Sequence, residues 1–109
     1  MATIEQFELI DMRVGRVLEA REFPAARKPS YQLVIDFGPL GTKHSSAQLT
    51  VHYTPETLVG RLVIAVVNFP PRRIAGFSSE VLVLGVPDAD GAVVLLEPGQ
   101  EVPLGGRVF

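Results

Sequence analysis

Turn-forming residues punctuate this chain so closely that no long element fits between them. Nine prolines and ten glycines fall within 109 residues, mainly between short runs rich in Val, Leu and Ile. Proline fixes φ and withholds a backbone donor, and glycine admits the tight turns, so each cluster ends whatever precedes it. What remains is strand-sized. Met12 to Leu18 places Met12, Val14 and Val17 among polar neighbours, with Gly15 expected at a bulge or bend. Tyr31, Leu33, Ile35 and Phe37 alternate onto one face. Gly38-Pro39-Leu40-Gly41 turns the chain into a returning strand from Lys43 to Val51. Arg61 to Asn68 and Glu80 to Val86 are the strands richest in β-branched and aliphatic residues, and Asp88-Ala89-Asp90-Gly91 leads into a further strand, Ala92 to Leu96.

Helix is confined to single turns. Thr3 and Gln6 have the spacing of a capping box, and Thr54-Pro55-Glu56 places an N-cap, a proline at the first helical position and an acid at the positive end of the dipole. Many short strands with Gly/Pro-rich turns and a little helix, at this length, predict an all-β fold: one five-stranded OB-fold Greek-key barrel with one or two short helical turns, spanning residues 1–109 as a single domain.

The longest apolar run, Leu62 to Val67, is far below the roughly 18 to 20 residues of a membrane span. With no cysteine there is no disulfide, thiolate metal site or thiol nucleophile. The opening Met1-Ala2-Thr3-Ile4-Glu5 has neither the basic nor the apolar part of a signal peptide, so a cytoplasmic location is expected. His44 and His52 lack the helical spacing of a zinc pair, and His44 next to Ser45 points to the opposite face of a strand, so neither a metal site nor a nucleophile–base pair is expected. The chain is read as a binding protein without catalysis, cofactor or metal.

A formal net charge of −2 argues against attachment to nucleic acid by bulk charge. Its distribution is uneven: residues 1–73 carry nine Lys/Arg and seven Asp/Glu, and residues 74–109 carry one Arg and five acids. The most concentrated chemistry is Asn68-Phe69-Pro70-Pro71-Arg72-Arg73-Ile74-Ala75-Gly76-Phe77-Ser78-Ser79. The prolines stiffen a loop that carries two arginine forks suited to phosphate oxygens, with Phe69 and Phe77 on either side.

These residues, with Asp11-Met-Arg-Val-Gly-Arg-Val17, Phe23-Pro24, Val34-Ile-Asp-Phe-Gly38, Tyr53-Thr-Pro-Glu-Thr-Leu-Val-Gly60 and Ser79-Glu-Val-Leu-Val-Leu84, resemble in order and spacing the tRNA-binding domain family, known as the C-terminal appendage of methionyl-tRNA synthetases. Lys43 to Leu49 and Asn68 to Phe77 resemble in particular its free-standing CsaA-type secretion chaperones. The resemblance implies an OB fold, a homodimer and tRNA as partner. It places Lys43, Asn68, Arg72, Arg73, Ser79 and Leu82 at tRNA-contacting positions, Leu82 where many relatives have methionine. Where relatives carry Ala-Asp-Lys-Leu, this chain has Ala26-Arg-Lys-Pro-Ser-Tyr31 with one extra residue, so Arg27 or Lys28 stands in for the family's lysine.

Two functions follow. In the first, Lys43, Arg72 and Arg73 hold phosphates of structured tRNA, and three neutralised phosphates per subunit give a salt slope of roughly −2 to −3. In the second, Phe69, Ile74 and Phe77 hold apolar segments of unfolded or export-bound polypeptides, with little salt dependence.

Overall fold

The computed structural model describes residues Met1–Phe109. In chain order the elements are α1 (Ile4–Glu8), β1 (Met12–Glu22), β2 (Tyr31–Asp36), a 3-10 turn (Gly38–Leu40), β3 (Thr42–Ala47), α2 (Pro55–Leu58), β4 (Leu62–Val66), β5 (Arg72–Ile74), β6 (Phe77–Ser79), β7 (Leu82–Val83), β8 (Gly85–Pro87) and β9 (Val93–Leu95). Five antiparallel strands form the main sheet in the order β3-β2-β1-β4-β7, and two hairpins, β5-β6 and β8-β9, stand beside it. The sheet curls into a nearly closed OB barrel, as its alternating strands predict.

Alternation fills the interior. Tyr31, Leu33 and Ile35 of β2 are buried while Gln32, Val34 and Asp36 are half-exposed. The core is built from these with Val17, Phe37, Leu49, Leu58, Val63, Ala65, Val81 and Leu95. β1 is long enough to pair with β2 through its C-terminal half and with β4 through its N-terminal half, and it bends where the register shifts between Val17 and Glu19. The bend therefore lies at Leu18 and not at Gly15. Gly15 serves closeness: a Cβ there would stand 2.5 Å from Ile35 Cγ2 and 2.7 Å from Phe37 Cε1. The glycine lets the β1 backbone cross directly over Ile35 and Phe37, both fully buried.

Closure is made differently from the rest of the sheet. The outer edge of β3 meets residues 79–81 through side chains: the Ser46 amide donates to Ser79 Oγ (2.9 Å), the His44 amide to Glu80 Oε1 (2.8 Å), and Ser45 Oγ donates to the Val81 carbonyl (3.1 Å). One backbone bond, Glu80 N–H to the His44 carbonyl, sits among them.

The expected Thr3–Gln6 capping box forms, and Thr54 caps α2 as expected, with Thr57 completing a second box that the sequence reading did not include. The predicted strand Glu80 to Val86 is broken into β7, paired with β4, and β8, paired with β9, where a side chain at Gly85 would meet Val93 Cγ1 at 2.6 Å. The C-terminal segment adds to the free edge of β1, with Gly105 and Val108 donating to the carbonyls of Val14 and Met12. Val108 thus pins the chain end through its backbone, while Phe109 is fully exposed. No helix is long and apolar enough to cross a membrane.

Candidate nucleic-acid interface

The segment read as a stiff loop is a β-hairpin. Pro70 and Pro71 lead into β5, whose Arg72, Arg73 and Ile74 pair with Ser79, Ser78 and Phe77 of β6. The two-residue connection has positive φ at both positions, 47° at Ala75 and 81° at Gly76, as the twist of a tight hairpin requires. The arginines are therefore held on a strand, side by side and on opposite faces, both exposed.

The hairpin is seated by Phe77. Its ring lies edge-on to buried Phe23 at a centroid distance of 5.4 Å and edge-on to His44 at 6.1 Å. Phe23 opens the connection carrying Arg27 and Lys28, both exposed, and His44 follows Lys43 in β3. Three separate segments of the chain thus meet at one aromatic cluster. Phe69, in contrast, is exposed and touches none of these rings, and Ile74 is half-buried at the hairpin tip.

Charge distribution singles out the same region. Of ten Lys/Arg, five face carboxylates: Arg13 and Arg107 with Asp11, Arg16 with Glu101, Arg21 with Glu19 and Arg61 with Glu97. The five without a carboxylate partner are Arg27, Lys28, Lys43, Arg72 and Arg73. They are the cations that the sequence marked as contacts, and all lie on the segments joined through Phe77. Glu80 lies beside His44 and Lys43 in this region. Its carboxyl is held below the usual range first by the His44 amide, then by the His44 imidazole (Nδ1 at 3.1 Å) and by the charges of His44 and Lys43.

Other expected contacts have structural duties. Asn68 closes the N-terminal turn onto the barrel: its side-chain oxygen accepts from the Asp11 amide (2.9 Å) and its nitrogen donates to the Leu9 carbonyl (2.8 Å). Ser79 accepts at the β3 seam and keeps its hydroxyl proton to donate. Leu82 lies outside the hairpin, on β7 opposite Val66, and is half exposed; with Val86, Val94 and Leu96 it makes an uncovered apolar stretch over β7–β9.

Beside Phe77 the outer face of β1–β3 holds a recess of about 230 Å³. Phe77 and His44 form its walls, Val34 its floor, and Gln32, Arg21 and Glu19 its rim. It is not visible in the linear sequence, because its members are spread over four strands.

Residues 12–107 match the model of a family described as a putative tRNA-binding domain. A methionine–tRNA ligase of Porphyromonas gingivalis is 40% identical over 104 residues, 95% of this chain and 15% of the relative. The chain therefore spans about 15% of the length of the curated relatives it matches. Among solved structures, chaperone CsaA of Bacillus anthracis superposes with a TM-score of 0.93 at 56% identity, covering 100% of this chain and 99% of the other. CsaA of Picrophilus torridus superposes with a TM-score of 0.92 at 48% identity, covering 100% of both.

Proposed function

The chain belongs to the putative tRNA-binding domain family, and we propose that it acts as a non-catalytic homodimer that binds structured tRNA through the β5–β6 hairpin and the adjoining barrel face. The observation that carries this is the division of its cations. Five face a carboxylate within 4 Å, Arg21 only loosely, and the five without such a partner lie on the segments joined by Phe23, Phe77 and His44. An unpartnered arginine contributes its charge to a phosphate without first losing an internal ion pair. Arg72, Arg73, Lys43, Arg27 and Lys28 supply phosphate contacts, Ser79 donates its free proton, and Asn68 serves by holding the strand end that leads into the hairpin. The acids elsewhere keep non-specific nucleic acid away.

Dimerisation spaces two such patches, so shape and not base sequence sets the preference. The uncovered apolar residues on β7–β9, Leu82 among them, and those at the chain ends (Ile4, Leu9 and Phe109, beside half-buried Phe7) offer the surface for it. Residues 1–109 act as one domain in a cytoplasmic setting.

The likeness to CsaA chaperones over whole chains supports a second reading, in which Phe69, Ile74 and Phe77 hold unfolded polypeptides. One experiment separates the two: binding of bulk tRNA, a duplex RNA of similar size and an unfolded polypeptide, each across a salt series. Preferential tRNA binding that weakens steeply with salt is expected. Salt-insensitive polypeptide binding without tRNA preference overturns the first reading in favour of the second.

A further inference from the structure

The recess beside Phe77 has a use that phosphate binding does not require. Its two ring walls stand nearly perpendicular, at 86°. A flat ligand stacked on one ring therefore meets the other at its edge, the arrangement aromatic pairs prefer. The floor is the aliphatic side chain of Val34, turned outward by the pleat of β2. At the rim, the Gln32 amide makes no hydrogen bond within the chain, whereas nearby Ser30 and Asp36 do. Arg21 and Glu19 touch only loosely, at 3.8 Å, and both are largely exposed. The rim thus offers an amide, a guanidinium and a carboxylate, each free to turn toward a ligand edge. At about 230 Å³ the space is below the usual range of pockets for drug-sized ligands, and suits one ring system.

We propose that this recess receives a single unpaired nucleobase of the bound RNA, stacked on Phe77 and hydrogen-bonded at its edge by Gln32. The inference rests on the tRNA-binding reading and adds to it a base-reading contact. In an A-form helix the deep groove hides the bases, so only an unpaired nucleotide can enter. The cations around the aromatic cluster hold the flanking phosphates while the base turns inward. An extended peptide fits less well. The recess lies on a sheet face and not on an edge, and the neighbouring edge of β3 is already occupied by residues 79–81, so no strand can be added there.

The test uses two single-stranded trinucleotides that differ only at the centre, one with 2-aminopurine and one abasic, and follows binding and 2-aminopurine fluorescence. tRNA affinity is measured across salt in parallel. Val34→Phe fills the floor and Gln32→Ala removes the edge contact, with folding of each checked by circular dichroism. The wild-type protein is expected to prefer the base-bearing trinucleotide by about tenfold, in line with stacking on an aromatic side chain, and to change its fluorescence. Val34→Phe loses that preference and Gln32→Ala reduces it, each lowering tRNA affinity in step, while the salt slope for tRNA stays as in the wild type. No preference in the wild-type protein, or a preference retained in both variants, overturns the proposal. If tRNA still binds with its full salt slope in that case, the recess proposal fails and the tRNA reading stands. Absence of tRNA binding altogether removes the tRNA reading, and the trinucleotide pair still decides the recess. Loss of polypeptide binding in Val34→Phe, without any base preference, assigns the recess to peptide side chains and also overturns it.

Discussion

Replacing Arg72 and Arg73 together by alanine tests the division of charge most directly. Each phosphate neutralised on a duplex releases condensed counterions, contributing about −0.9 to the slope of log affinity against log salt. If all five unpartnered cations of a protomer engage, the slope is about −4.5, and affinity falls about 500-fold between 50 and 200 mM salt. Removing two contacts brings the slope to about −2.7, and the same change in salt then costs about 40-fold. At moderate salt the double variant binds tRNA at least about tenfold more weakly, a loss carried by charge and not by folding, since both side chains are exposed on β5. Arg16→Ala is the control. Its guanidinium is already matched by Glu101 at 2.5 Å, so its removal leaves the slope unchanged. Filter binding or fluorescence anisotropy at four or five salt concentrations, with circular dichroism for the fold, measures both. Equal slopes for the wild type and the double variant, or a loss as large in Arg16→Ala, would refute the reasoning.

Three further outcomes are expected. Ala75 has φ of 47°, in the left-handed region that costs a non-glycine residue roughly 1–2 kcal/mol; Ala75→Asn, suited to such turns, raises the urea midpoint by an amount equivalent to up to about 1 kcal/mol, and a lowered midpoint counts against the turn geometry. Asn68→Ala removes two hydrogen bonds that hold the N-terminal turn and lowers unfolding free energy by about 1–2 kcal/mol, while the salt slope for tRNA stays unchanged; a reduced slope would make Asn68 a direct contact. The Glu80 carboxyl is lowered from 4.5, so its folded form binds a proton less readily than the unfolded chain; its contribution is present above that value and lost as pH falls through the lower folded one. Glu80→Gln therefore flattens the decline in thermal midpoint below about pH 4.5, and an unaltered acid decline means that other carboxylates govern it.

Much of the barrel was legible because its signals are local. The alternation of Tyr31 to Phe37, the Thr3–Gln6 capping box and the Thr54 N-cap depend on residues within a few positions of each other, and these elements form where expected. The β5–β6 hairpin was hidden because its two strands are only three residues each, its turn is Ala-Gly and not Asn-Gly, and the prolines before it read as loop. Gly15 could be seen as special, but the choice between a bulge and a close crossing depends on Ile35 and Phe37, about twenty residues away. The candidate cations were visible as residue types. Which arginines are neutralised was not, since Arg16 meets Glu101 and Arg61 meets Glu97 across the fold. Asn68 fell in the right segment for a different reason, as its partners Leu9 and Asp11 lie nearly sixty residues earlier.

The β3 seam is fastened largely by Ser45, Ser79 and Glu80 side chains, and this gives the barrel one compliant line in an otherwise continuous ladder. A side-chain link can rotate away singly, while a strand ladder has to part along its length. The seam therefore opens at lower free energy than the β1–β2 pairing, and the His44 and Ser46 amides exchange with solvent before those of β2. The hairpin continues directly into the seam at Ser79, so opening of the seam is expected to loosen β6 and, through its pairing, Arg72 and Arg73 of β5. On the proposed tRNA-binding reading, such a hairpin would adjust its span to a curved polyanion while the barrel behind it keeps its shape.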